Sequence, residues 1–182
     1  KASHKPRFSI RKQGAAQVCI VGLTNSGKST LLNNLTSANA EVADYPYTTK
    51  EPVVGMMEYK DVQIQVVEIP STFEPELISI LYTTDEIIAI VDETAKEDQW
   101  KTLNAIFSNN NINQDKIIWL WTKKDDADIE DLKNKIWNGL KFITVYTKSP
   151  GKDKDMPGIA LTPGSTVKDL AGRIHNDFLK NF

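Results

Sequence analysis

The stretch Gly22–Ser29 limits the folds open to this chain more than any other segment does. It fits the phosphate-loop pattern of Gly, four residues and then Gly-Lys-Ser or Gly-Lys-Thr. Residues 17–21 before it have the pattern of a buried strand, and residues 29–35 after it that of a helix with leucines on one face. Glycines let backbone N–H groups turn onto a phosphate, and the helix N-terminus adds partial positive charge. A ligand-free strand–helix turn is the plainer alternative, but the flanking elements favour a phosphate site.

The side chains of this loop have separate expected roles. Lys28 would reach the β- and γ-phosphates of a nucleotide, and the Ser29 hydroxyl would bind Mg²⁺. Further nucleotide contacts are expected from Asn25, Ser26, Gly27 and Thr30.

Alternating apolar strands and helices predict an α/β fold, an open and largely parallel sheet of the P-loop NTPase type. Residues 52–59 and 62–69 predict a hairpin, which makes one edge of the sheet antiparallel. A helix over 96–108 is expected to turn Trp100, Leu103, Ile106 and Phe107 inward. In such sheets, ligands bind at the carboxyl ends of the strands.

After residue 140 the composition shifts to strand, charged loop, strand and helix, the beginning of a small β-grasp-like unit with its helix reaching about Lys180. We therefore expect three parts: a basic arm over 1–12, a nucleotide-binding domain over 13–140 and a partial β-grasp unit over 141–182.

The run from Thr122 to Asp125 follows a predicted buried strand, which places it at the ligand edge of the sheet. The Asp125 carboxylate can accept two hydrogen bonds from the N1–H and amino group of guanine, a donor pair that adenine lacks. The stem of Lys123 could pack along the base, and Thr122 would line the same site. Alone, such a charged run is usually a solvated loop; beside a phosphate loop it predicts guanine rather than adenine nucleotides.

Two further segments predict magnesium contacts. The polar loop over 37–50 could close over bound phosphates and supply Thr49, or less favourably Thr48, to the metal and to catalysis. Glu68 ends the second hairpin strand and could hold a metal-bound water. With one cysteine and two histidines, the chain shows no His/Cys ligand cluster.

Composition limits the environment and the partners. The single cysteine, Cys19, forms no internal disulfide and suits a reducing compartment, and no apolar run approaches 18 residues. Residues 1–12 carry five positive charges and no acid, residues 141–182 carry a net charge of +3, and the middle carries −10. Basic ends can touch RNA phosphates, and an ordinary solvated arm and tail is an equal alternative.

Together these motifs resemble the Obg superfamily of Ras-like GTPases, and within it the developmentally regulated GTP-binding protein type. The supporting segments are residues 8–12, the phosphate loop, residues 41–49 and residues 62–65. Residues 145–148 and 166–175 resemble the start of the TGS domain that follows the GTPase domain in that family. The resemblance implies GTP hydrolysis, a cytoplasmic location, association with ribosomes or RNA and a dedicated protein partner. Turnover with Mg²⁺ is expected to be slow, because no residue stands out to orient the attacking water and Thr72 is a poor candidate. No membrane or DNA contact is expected.

The chain departs from that family at several places. Glu68-Ile69-Pro70-Ser71 stands where the family has Asp-x-Pro-Gly, and the Ser-Ala base-contact motif is missing between Asp125 and Asp128. The inserted domain and the helical N-terminus of the family are not visible. Asn25 matches the asparagine that potassium-using relatives carry in this loop, which predicts K⁺ stimulation. The alternatives are a nucleotide-binding scaffold with little turnover and, because phosphate loops are shared, an ATPase.

Overall fold

The computed structural model describes residues 9–36, 41–42, 48–122 and 128–174. In chain order the elements are β1 (Gln17–Gly22), α1 (Lys28–Leu35), β2 (Glu41–Val42), β3 (Val53–Tyr59), β4 (Val62–Glu68), α2 (Pro75–Thr83), β5 (Glu86–Asp92), α3 (Lys96–Asn109), β6 (Ile117–Thr122), α4 (Ile129–Leu140), β7 (Ile143–Val145), β8 (Ile159–Leu161) and α5 (Val167–Ile174).

Six strands form one mixed sheet in the order β2-β3-β4-β1-β5-β6. The pairs of β1 with β4, β1 with β5 and β5 with β6 are parallel, whereas β3 pairs antiparallel with β2 and β4. This confirms the predicted largely parallel α/β sheet with an antiparallel edge. The strand β1 is buried along its whole length because helices cover both of its faces.

The two faces of the sheet carry different helices. One apolar cluster joins the sheet to α1 and α4, and the other joins it to α2 and α3. Cys19 is buried in the second cluster. The side chain of Asp128 caps α4 by accepting from Asp131 N at 3.0 Å.

Six residues connect β6 to α4. The helix α4 packs on the same face of the sheet as α1. Among the described residues, β6 forms the outer edge of the sheet.

Trp100 turns toward the sheet, as predicted, but it is only partly covered. Leu103 and Phe107 are buried on the inner face of α3, but Trp100 is 37% exposed. Trp100 stays partly exposed because β6 is the edge strand of the described sheet. A side chain of a helix that lies over an edge strand is covered by the sheet on one side and open to solvent on the other. The ring of Trp100 lies 6.2 Å from that of Trp119, which stacks on Trp121 at 6.1 Å.

The C-terminal unit consists of the antiparallel pair β7–β8 and the helix α5. It docks on the turn between β3 and β4, where Gly158 N donates to Asp61 O at 2.9 Å and the Tyr146 hydroxyl donates to the Asp61 carboxylate. Lys154 Nζ lies 3.2 Å from the same carboxylate, and these contacts hold the pKa of Asp61 below its usual value. The helix was expected to reach about Lys180, but residues 175–182 lie outside the described ranges, and the TGS assignment stays a prediction.

Candidate nucleotide-binding site

The loop between β1 and α1 has the tight backbone that its glycines predict. Gly27 adopts φ = 90°, a left-handed conformation that favours glycine, and Asn25 adopts φ = 62°. At Gly22 a β-carbon would stand 2.3 Å from Ser26 Oγ, so only glycine lets the loop fold back onto the end of the strand.

The helix α1 presents its first turn to the space above this loop. No side chain caps its N-terminus at Gly27, so its first N–H groups keep their capacity for an anion. Ser26 Oγ is buried and has no hydrogen-bond partner, the one such side-chain atom in the described residues. A buried polar atom without a partner is costly, and here it lies in a loop built for phosphate.

Lys28 stands at the centre of the site. It is only 7% exposed, and its Nζ donates to Leu23 O and to Ser71 Oγ, each at 2.9 Å. Burial lowers the pKa of this amine, and the neighbouring Glu68 carboxylate opposes that shift. The contact with Ser71 joins the phosphate loop to the segment after β4.

Ser29 and Glu68, each predicted to contact magnesium, lie side by side. Ser29 Oγ donates to Glu68 Oε1 at 2.9 Å, across the gap between α1 and the end of β4. A hydroxyl and a carboxylate oxygen this close form a donor set of the hard type that Mg²⁺ prefers. The residues present therefore fit a magnesium ion.

A cavity of ≈ 230 Å³ opens above the loop. Its lining combines loop, hairpin and post-β4 residues: Thr24, Asn25, Lys28, Lys50, Glu51, Val53, Glu68, Pro70 and Ser71. Lys50 ends the loop that was expected to close over bound phosphates, whereas Glu51 was not expected here. No sequence motif marks Lys50 and Glu51 as lining residues. They line the cavity because the chain passes it just before β3 begins.

Thr49, the preferred metal ligand of the loop over 37–50, is held away from the cavity. Thr49 is absent from the cavity lining, since its backbone N–H donates to Glu74 Oε1 and Oε2 at 3.3 and 3.2 Å and its hydroxyl also donates to Glu74. Thr48 is partly buried beside it. Sequence reasoning missed Glu74, because a single glutamate before a helix gives no signal of a contact 25 residues away.

The predicted base-reading residues are only partly described. Thr122 ends β6 opposite Asp92 of β5, so the chain leaves the sheet there at the edge where the phosphate loop lies. Lys123 and Asp125 lie outside the described residues. Thr30 is exposed in the first turn of α1.

Residues 17–148 match the family model described as 50S ribosome-binding GTPase. The chain belongs to this family. The match covers the sheet, the phosphate loop and the start of the C-terminal unit, so the chain carries a P-loop GTPase domain whose ligand class is the guanine nucleotide.

Curated relatives agree with the predicted type. Over 101 residues the chain is 35% identical to Developmentally-regulated GTP-binding protein 2 of Homo sapiens, an alignment that covers 50% of this chain and 28% of that protein. It is 25% identical to an uncharacterized GTP-binding protein of Methanocaldococcus jannaschii over 96% of this chain and 72% of that protein. These relatives confirm the resemblance to developmentally regulated GTP-binding proteins, although the chain spans less than a third of the length of the human one.

The alignment with the archaeal protein runs over 281 residues, against 182 in this chain. The archaeal protein therefore carries additional residues inside the matched region.

Solved structures support the fold. The G domain of the T. maritima FeoB iron transporter matches 68% of this chain and 98% of its own length, with 23% identity and a TM-score of 0.53. The cytosolic domain of the same transporter in its apo form matches 88% of this chain and 73% of its own, with 21% identity and a TM-score of 0.54. No helix among the described residues is long and apolar enough to cross a membrane.

Proposed function

We propose that this chain binds GTP and GDP with Mg²⁺ and hydrolyses GTP slowly. The observation that carries the proposal is the buried Lys28 amine, which stands beside an uncapped helix N-terminus at the mouth of a ≈ 230 Å³ cavity. Phosphates would replace the oxygens of Leu23 and Ser71 as acceptors for this amine. The loop N–H groups would supply the remaining donors.

The chain's own residues would act by positioning and by neutralising charge. Lys28 and the loop amides hold the phosphates in line with an attacking water. Thr72 follows Ser71 and is a poor candidate to orient that water, because it is exposed and carries only a hydroxyl. Slow intrinsic turnover follows.

The magnesium site would draw on Ser29, Glu68 and Thr49. When bound, Mg²⁺ would neutralise charge that develops on the β- and γ-phosphates. Asn25, which lines the cavity, would help to hold a K⁺ ion beside the phosphates.

Hydrolysis is tested by phosphate release from GTP under single and multiple turnover, in K⁺ and in Na⁺ buffer with Mg²⁺. We expect slow release that requires Mg²⁺ and is faster in K⁺. Equal rates in the two buffers would remove the potassium role, and no release above a Lys28→Met control would remove the enzymatic role.

A nucleotide-binding scaffold is the second candidate. It is favoured by the contact of Lys28 with Ser71, since the family's glycine at that position has no side chain to engage the lysine. A scaffold would bind GDP and GTP without multiple turnover, even with a partner present.

Replacement of Asp125 with alanine is expected to lower the affinity for GDP on the order of 100-fold, because two charge-assisted hydrogen bonds to guanine are lost. Affinity for ADP should stay low. Asp126→Ala, one position on, is the matched control and should leave GDP binding unchanged. Calorimetric titration measures both, and an unchanged base preference in Asp125→Ala would favour the ATPase alternative.

The wider role of the chain is a translation-related one in the cytoplasm. The family description names ribosome binding, and the C-terminal 42 residues carry a net positive charge suited to RNA phosphates. We assign nucleotide binding to residues 13–140, and ribosome, RNA or protein contacts to the arm over 1–12 and the TGS-like unit over 141–182.

A further inference from the structure

Glu74 makes a contact that the proposed reaction does not explain. Its carboxylate accepts from the backbone N–H of Thr49 at 3.2 and 3.3 Å and from the Thr49 hydroxyl. Both partners lie at the surface, 25 residues apart in the chain. The contact therefore ties the segment before β3 to the segment after β4.

Glu74 is itself firmly placed. It is the N-cap residue of α2, its carbonyl accepts from Ile78 N at 3.0 Å, and Pro75 follows it at the first helical position. Its side chain makes no capping bond to the helix, so the carboxylate is free to reach across to Thr49. A rigid helix end thus anchors the Thr49 segment.

The anchored position lies away from the proposed metal donors. Ser29 and Glu68 face each other at 2.9 Å, and Glu68 lines the cavity together with Lys50 and Glu51, whereas Thr49 does not line it. A hydroxyl that donates a hydrogen bond keeps its lone pairs, so the bond alone does not prevent metal binding. The backbone bonds are what fix Thr49 in place.

We propose that Glu74 is a positioning residue that holds Thr49 away from the metal in the nucleotide-free chain and so lowers the affinity for GTP relative to GDP. The inference rests on the proposed function, because it needs Thr49 to reach the metal when the γ-phosphate is present. A ligand that requires the moved Thr49 must break the bonds to Glu74, and a ligand that does not require it breaks none.

The size of the effect follows from the free energy of that contact. Charge-assisted hydrogen bonds at an exposed site contribute modestly. Glu74→Ala is therefore expected to raise the affinity for GTP-γ-S with Mg²⁺ by about 3- to 10-fold. The affinity for GDP without Mg²⁺ should change less than about twofold, since Thr49 has no part in that complex. The helix should tolerate the change, because the removed side chain does not cap it.

The first test needs no nucleotide. Hydrogen exchange of the peptide that contains Thr49 is measured by mass spectrometry in the wild-type chain, in Glu74→Ala and in Glu58→Ala, which removes an exposed carboxylate from β3. We expect faster exchange around Thr49 in Glu74→Ala alone. Equal exchange in all three chains would overturn the proposed anchor.

The second test compares calorimetric affinities of the same chains for GTP-γ-S with Mg²⁺ and for GDP. A rise for GTP-γ-S in Glu74→Ala alone supports the proposal, and an unchanged ratio of the two affinities contradicts it. Absence of guanine-nucleotide binding in every chain would refute the proposed function instead, and the exchange result would then show whether the anchor exists without a nucleotide role.

Discussion

Replacing Lys28 with methionine is expected to lower the affinity for GDP and GTP at least about 100-fold, the size of the loss when charge-assisted bonds to phosphate disappear. The amine donates two hydrogen bonds at the mouth of the cavity, and phosphate oxygens would take over those bonds. Methionine keeps the apolar stem of the side chain, so the buried part of the residue stays filled. Calorimetric titration with GDP measures the loss.

The control for this variant is Lys101→Met, which removes an exposed lysine from α3. It should bind GDP as the wild type does. Circular dichroism should show both variants folded, because burial disfavours the charged amine of Lys28 and its removal leaves no buried charge. Undiminished GDP affinity in Lys28→Met would mean that the phosphates do not lie at this loop.

Replacing Glu86 with glutamine is expected to stabilise the chain at pH 8 by about 1–3 kcal/mol and to have little effect at pH 4.5. Glu86 is 6% exposed where β5 meets α4, so close to Gly139 that a β-carbon there would stand 2.2 Å from its carboxylate. Burial and the adjacent Asp85 raise the pKa of Glu86 from 4.5 to about 7, with Lys116 and Lys141 opposing.

Because the pKa is higher in the folded chain than in the unfolded one, folding favours the protonated carboxyl. The stability that this provides is fully present below pH 4.5 and is lost as the pH rises through about 7. Urea unfolding at pH 4.5 and pH 8 measures the difference between wild type and Glu86→Gln. The exposed Glu58→Gln should show none, and a Glu86→Gln chain with no gain at pH 8 would contradict the buried charge.

Local pattern was sufficient to predict the phosphate loop and the helix α1. The glycine positions, the strand before them and the leucines after them all follow from neighbours in sequence, and Leu31, Leu32 and Leu35 are indeed buried. The hairpin was placed within one residue at each end, because alternation and a two-residue turn define it. Ser29 and Glu68 were each predicted to contact magnesium, but the hydrogen bond between them was not predicted.

Contacts between distant segments could not be predicted. The anchor of Thr49 on Glu74 depends on how two loops approach each other, which no periodicity encodes. The exposure of Trp100 depends on which strand lies at the sheet edge, a property of strand order rather than of the helix. The docking of Tyr146 on Asp61 likewise joins residues 85 positions apart.

Titration of the purified chain with GDP, and with ADP as the control ligand, in Mg²⁺ buffer by calorimetry tests most directly whether the loop over residues 22–29 binds guanine nucleotides. We predict that GDP binds at one site and that ADP does not bind measurably. Equal binding of the two would contradict guanine selection, and binding of neither would contradict the nucleotide site itself.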